Sequence, residues 1–454
     1  MPVFFFNRKT KYHFFISVLF ILFILHFSFG KGLAATILDI YSMSKDNDPI
    51  LQAAHAKHQA TQEQRSQAIA QMLPTISASG QTGRIFQDIH SSDNAVYGIG
   101  ETDYQSTTLS LTLTQPLFHW ELITGLQQAK AEILRSEAEY RLAEQELILR
   151  VAERYLQVLA AQDMQTFVQA EQSAVHQHYE LARQQFKKGL IPITDLHDAK
   201  ARKATVDAQV IEAQNLLDDA HQGIWEITGQ DIGTLNPLHS VIPLQGPQPV
   251  DMETWIKAAQ SQNMALRLRK YAVEVAGKEV SRLQAGHYPT VDLVGTYEDE
   301  DTEGSLYGGG SELATSEIMV KVNIPIFQGG MVSSRVRAAK QNQTVARQEL
   351  IREERQVLRK TRRAFLGVQT ALSKVEALKQ SVESNKLALQ AKQRGYLSGL
   401  YDSLSVLDAE RDLSMTQQEY AKARYEYLLN GLMLKQSTDN LSLRELEQLA
   451  QLFE

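Results

Sequence analysis

The sequence predicts a mixed α/β membrane protein in which a unit of two strands and an antiparallel helical hairpin occurs twice. Three observations predict it. The helix-turn-helix from Tyr396 to Glu410, YLSGLYDSLSVLDAE, has a degenerate copy from Phe186 to Lys200, FKKGLIPITDLHDAK. Gly189 and Gly399 stand 210 residues apart, and Phe186 meets Tyr396, Leu190 meets Leu400, Leu196 meets Val406 and Asp198 meets Asp408 at that offset. An offset shared through a whole turn, between long helical patterns, marks internal duplication. Next, Pro-bounded stretches alternate apolar and polar residues as half-buried strands do. Finally, long segments repeat apolar or small residues at spacings of three and four, as supercoiled helices do.

Taken in order, residues 1–35 read as a secretion signal. Arg8, Lys9 and Lys11 precede a largely apolar run from Phe14 to Phe29, and Gly32-Leu33-Ala34-Ala35 supplies small residues for cleavage after Ala34 or Ala35. An uncleaved anchor is the alternative, since the run is nearly long enough to span. Loss of Arg8, Lys9, Lys11 and Lys31 takes the net charge from −7 to −11. That acidity argues against nucleic acid as a partner. Cysteine is absent, which excludes a disulfide scaffold, thiol chemistry and a zinc ribbon.

A first repeat is expected over 36–228. Thr36 to Met72 reads as helix with a restart at Asp48-Pro49, because Pro suits a first helical turn. Leu73-Pro74 ends it, and strands follow at about 75–81 and 107–115 with a polar loop between. In the second strand Leu109, Leu111 and Leu113 alternate with Ser110, Thr112 and Thr114, and Pro116 closes it. A long helix, 119–188, and a return helix, 191–228, complete the repeat. An equatorial linker with Pro237, Pro243, Pro247 and Pro249 spans 229–251. The second repeat, 252–436, runs likewise: one helix from Met252 to Ala285, strands at about 290–297 and 316–324, a long helix 328–397 and a return helix 401–436. Residues 437–454 form a tail at the level of the linker. At ~1.5 Å per residue each long helix is about 105 Å, and two stacked shorter helices lie beside it. The predicted architecture is therefore a cylinder of repeats. Four strands with one apolar and one polar face fit a membrane barrel with lipid outside, whereas two hairpins on a soluble core is the blander alternative. Four strands cannot close such a barrel, so several chains must contribute.

These motifs, Leu73-Pro74 with Tyr288-Pro289, Gln115-Pro-Leu-Phe118 with Ile324-Pro-Ile-Phe327, the doubled turn and Ala423-Arg-Tyr-Glu-Tyr-Leu-Leu-Asn430, resemble the TolC family of outer-membrane efflux proteins over the whole mature chain. The resemblance implies a homotrimer whose twelve-stranded transmembrane β-barrel continues into a long antiparallel coiled-coil periplasmic barrel. It implies an exit duct in the outer membrane, for small molecules or proteins, working with a periplasmic adaptor and an inner-membrane transporter. It implies no enzyme activity and no cofactor. A non-conducting, periplasm-spanning coiled coil is the rival reading.

At the turns the resemblance implies a gate. Of two acidic positions three apart, one matches Asp408 and the other Ser405, which carries no charge, so cation block at the entrance is expected to be weaker than with both acids. Asp195 and Tyr396 match one linked pair. Thr194 matches half of another whose arginine is replaced by Tyr401. Gly189, Leu190, Gly399 and Leu400 match positions that meet the adaptor, although a glycine is needed to end a helix whatever docks there. Elsewhere no catalytic or metal constellation emerges. His176 and His178, two apart, face different sides of a helix. His55 and His58 read as solvated, as does the run Arg352 to Arg363. Gly308-Gly-Gly310 lacks the Lys-Ser/Thr of a phosphate loop.

Overall fold

The computed structural model describes residues 34–91, 99–304 and 309–454. The leader up to residue 33, and Gly308 of the glycine run, lie outside them. Two short helices, α1 (Ile37–Asn47) and α2 (Pro49–Ala70), lead into β1 (Thr75–Ile89) and β2 (Gly100–His119). The first hairpin follows, α3 (Trp120–Lys187) with α4 (Ile193–Thr228). Then come α5 (Met252–Gln262), α6 (Met264–Gln284), β3 (Thr290–Thr302) and β4 (Ser311–Asn323). The second hairpin is α7 (Met331–Leu397) with α8 (Ser403–Ser437), and α9 (Leu443–Ala450) closes the chain. The long helices α3 and α7 have 68 and 67 residues, about 100 Å each at ~1.5 Å per residue.

The strands form one antiparallel sheet in the order β1-β2-β3-β4, which leaves β1 and β4 as edges. Its register explains the two faces. Ile76 pairs with Leu113, Leu113 with Gly295 and Gly295 with Ile318, while Ala78, Leu111 and Tyr297 align one row above. Directly opposed residues share a face, so these make an apolar band. Ile318 and Val320 are 83% and 61% exposed on it. The opposite face carries Ser77, Thr112, Thr296 and Glu317 in one row.

The strands run well beyond the alternation that marks them in sequence. Residues 82–89, 100–106 and 298–302, expected as loops, are paired strand. Above the Leu109 row polar residues enter both faces beside Ile85 and Phe86, with Thr82 bonded to Thr107 (3.0 Å) and Arg84 paired with Asp103. The backbone ladder continues there without a hydropathy pattern to betray it. Pro116 does not close β2 either. The strand passes through it to His119 with a register shift between Pro116 and Phe118, which accommodates a residue that has no N–H for the ladder.

Asp48 hinges α1 to α2. It is 1% exposed, accepts from the Leu51 N–H at 2.7 Å and takes Arg150 of α3 on both oxygens at 2.9 Å. The helix expected from Met252 to Ala285 is two. Asn263 ends α5 and its side chain caps α6 by accepting from the Leu266 N–H at 3.2 Å, a local bond that competes with a continuous helix. Around the equator, Ile232, Leu235, Leu238 and Ile242 of the linker join Leu446, Leu449 and Phe453 of the tail in one core. The fully buried Tyr155 of α3 anchors it, donating to the Asn236 carbonyl at 2.9 Å with its ring edge-on to Phe453. Thus the tail is helical and tied to the linker, and both pack against α3 and α8.

Candidate functional site at the paired turns

Both hairpins end on the same backbone device. In the first, Gly189 has φ +71° and the Leu190 N–H returns to the Gln185 carbonyl at 3.0 Å. In the second, Gly399 has φ +78° and the Leu400 N–H returns to Gly395 at 2.7 Å. Left-handed backbone at a helix C-terminus favours glycine, and the returning N–H satisfies a carbonyl that the helix leaves free. A Cβ on either glycine would meet open space, so the requirement is conformational. The next residues point away from the protein, with Leu190 69% and Leu400 75% exposed.

The following helices start differently. Pro192 stands before α4 with no side-chain cap, and Thr194 lies 3.4 Å from Asp195 Oδ1. Before α8, Asp402 accepts from the Ser405 N–H at 2.8 Å and also from the Ser405 hydroxyl. Those hydrogen bonds, the hydroxyl's first, hold the Asp402 carboxyl below its ordinary range. Ser405 is therefore committed to capping α8. One turn on, Asp408 is half-exposed and sits 3.2 Å from Arg411, which also engages Asp412 at 3.1 Å. Asp408 thus carries its own counter-charge.

The polar links between the hairpins differ from those expected. Tyr396 donates to Gln185 Oε1 at 2.7 Å, not to Asp195. Burial pushes the Tyr396 phenol up, and the negative charge of Asp195 adds to this, so Asp195 acts here through its field. Tyr401 does not reach Thr194 within the protomer. Its ring folds onto Gly395, where a Cβ would collide with it. Within the protomer Tyr396 thus turns to Gln185 of α3, and Tyr401 to Gly395 of α7.

Sequence reasoning placed His178 on a different side of the helix from His176 and gave it no partner. Its Nε2 lies 2.6 Å from the hydroxyl of Ser403, which is 1% exposed in the first turn of α8, and its ring sits 5.0 Å from that of Tyr396. Beside it Leu407 of α8 is buried with Val168, Val175, Ala182, Ala199 and Val206 of the first hairpin. His176 turns instead to Asp207 at 2.8 Å. Asp207 also accepts from Lys203 and Gln172, and these bonds hold its carboxyl well below the usual range. His55 and His58 are partly buried. They lie against Tyr140, and His58 Nδ1 is 2.9 Å from the Ser136 hydroxyl. Among the described residues no group of three acidic or histidine side chains is arranged to hold a metal.

The family model described as outer membrane efflux protein matches residues 40–230 and 255–439. The chain belongs to the outer membrane efflux protein family. The two matched stretches leave residues 231–254 between them. The chain is 30% identical over 426 residues to the outer membrane protein TolC of Escherichia coli strain K12, covering 91% of this chain and 84% of that one. It is 28% identical over 419 residues to the alkaline protease secretion protein AprF of Pseudomonas aeruginosa, covering 92% and 87%. Its fold is similar to the Campylobacter jejuni CmeC outer membrane channel, with a TM-score of 0.76 over 94% of each chain at 14% identity. As a member of this efflux family the chain is an export channel of the outer membrane.

Proposed function

We propose that three copies assemble into the exit duct of a three-component export system. Each gives four strands to a closed twelve-stranded barrel and two hairpins to a tunnel whose narrow end is the ring of turns. The open sheet carries this reading. Its one apolar face belongs in lipid, where an unpaired strand edge is prohibitively costly, so β1 of one copy must pair with β4 of the next. Eight strands from two copies would leave a filled interior, whereas twelve leave a channel.

The exposed Leu190 and Leu400, held out by Gly189 and Gly399, are the apolar knobs offered to a periplasmic adaptor, and the adaptor brings the inner-membrane transporter. Exposed Lys187 and Lys188 flank only the first knob, so the two docking points differ. Asp408 faces the axis in this reading and forms an acidic ring paired with Arg411. Asp195, Thr194, Ser405, Tyr396 and Tyr401 stand around the closed entrance.

Outer-membrane fractions should contain heat-modifiable trimers that open defined pores in planar bilayers. Recovery as a soluble, non-conducting periplasmic protein would overturn the duct. The likeness to AprF, named for alkaline protease secretion, supports protein cargo, and the match to the outer membrane efflux family supports efflux. A drug pump or a secretion ATPase encoded beside the gene would separate the two.

A further inference from the structure

We infer that His178 is the residue through which this channel's entrance senses protons, holding the two hairpins together while neutral and releasing them when charged. The inference rests on the duct reading, because it requires the hairpins to part on opening. The geometry is that of a bolt between hairpins. His178 of α3 meets Ser403 of α8 at 2.6 Å and the Tyr396 ring of α7 at 5.0 Å, while Tyr396 itself bonds back to Gln185 of α3. One imidazole thus touches both helices of the second hairpin.

Its surroundings disfavour a positive charge. Ser403 is buried in the first turn of α8, so the imidazole faces the positive end of a helix of 35 residues. Burial pulls the imidazole below its ordinary range, and the charge of Asp195 on α4 only partly opposes this. Other ionisable groups on the seam include Tyr396 of α7, the Glu171–Arg202 pair two turns up the first hairpin, and Asp408, Glu410 and Arg411 of α8. His176, two residues before, is turned away to Asp207. In the parted state His178 regains water and an ordinary value near ~6.5. The sign follows. The open state binds the proton more readily, so closure is favoured above that value and weakens as the pH falls through it.

The test is single-channel and macroscopic recording of purified trimers at pH 7.5 and 5.5, with His178→Gln and Ser403→Ala beside the wild type. Resting conductance of the wild type should rise roughly threefold or more on acidification. His178→Gln, which keeps a neutral hydrogen-bonding group, should stay low and flat across that interval. Ser403→Ala should raise conductance at pH 7.5. A pH response that survives in His178→Gln assigns the effect to other groups, such as Glu410, and overturns the inference, as does a flat wild type with normal pores. Trimers that open no pores at either pH, in wild type or Ser403→Ala, would instead count against the duct itself.

Discussion

The two turns are copies that kept their backbone and exchanged their chemistry. Each ends its helix on a left-handed glycine, Gly189 or Gly399, and each throws a leucine into solvent. Beyond that they part. The first carries Lys187 and Lys188 and enters α4 through an uncapped Pro192, whereas the second enters α8 through Asp402 and its two bonds from Ser405. Duplication preserved what the chain path demands and released what it does not. The consequence is an asymmetric tip. The second hairpin brings the acid, the cap and the buried serine, and the first brings the histidine and glutamine that meet it.

That asymmetry can be broken at graded cost. Leu407→Ala should have the largest effect, since this 2% exposed side chain is the second hairpin's plug in the first hairpin's core. A loss of about 2–5 kcal/mol is expected, read as a lower unfolding midpoint and a leaking entrance. Next, Asp402→Ala should cost about 1 kcal/mol of local stability, as loss of a helix cap does, while Pro192→Ala at the matching place should cost little. Hydrogen exchange in the first turns of α8 and α4 would compare them. Because hydrogen bonds depress the Asp402 carboxyl, the cap's contribution is full above the ordinary aspartate range and fades as the pH falls through the depressed value.

Tyr396→Phe removes one hydrogen bond, about 1 kcal/mol, and should raise resting conductance. Gln185→Ala should match it, and Asp195→Ala should do less, because Gln185 is the acceptor. Equal effects of Asp195→Ala and Tyr396→Phe, with none from Gln185→Ala, would restore the Tyr396–Asp195 pair. The smallest effect is expected at the exposed ion pair. Arg411→Ala should strengthen block by multivalent cations modestly, and Asp408→Ala should relieve it, since such pairs contribute roughly 0–1 kcal/mol. Block unchanged in both variants would remove Asp408 from the axis.

Much of this plan is legible in one dimension, and the misses have physical causes. Heptad spacing exposes the seams because the positions facing a partner helix must stay apolar or small. Ala129, Ala143 and Leu147 on α3, and Val206 and Ala213 on α4, are all buried. The upper strands escape because polar residues on both faces break the alternation there, while the backbone ladder runs on. The break at Asn263 escapes because a single side-chain cap suffices to make it. His178 escapes because nothing local distinguishes it. The residue it meets, Ser403, is 225 positions away.

The sequence by itself determined the repeat, the turns, the apolar face of the sheet and the alternation of long and short helices. Each is a short-range constraint, imposed by one backbone angle, one proline or the period of one helix. Only the tertiary structure decided which side chains meet across the hairpins. Tyr396 took Gln185 over Asp195, and His178 took Ser403, because partner choice depends on how two ~100 Å helices are rotated and staggered against each other. The linker and tail likewise meet only in three dimensions, in the core around Tyr155, far along the chain from the turns.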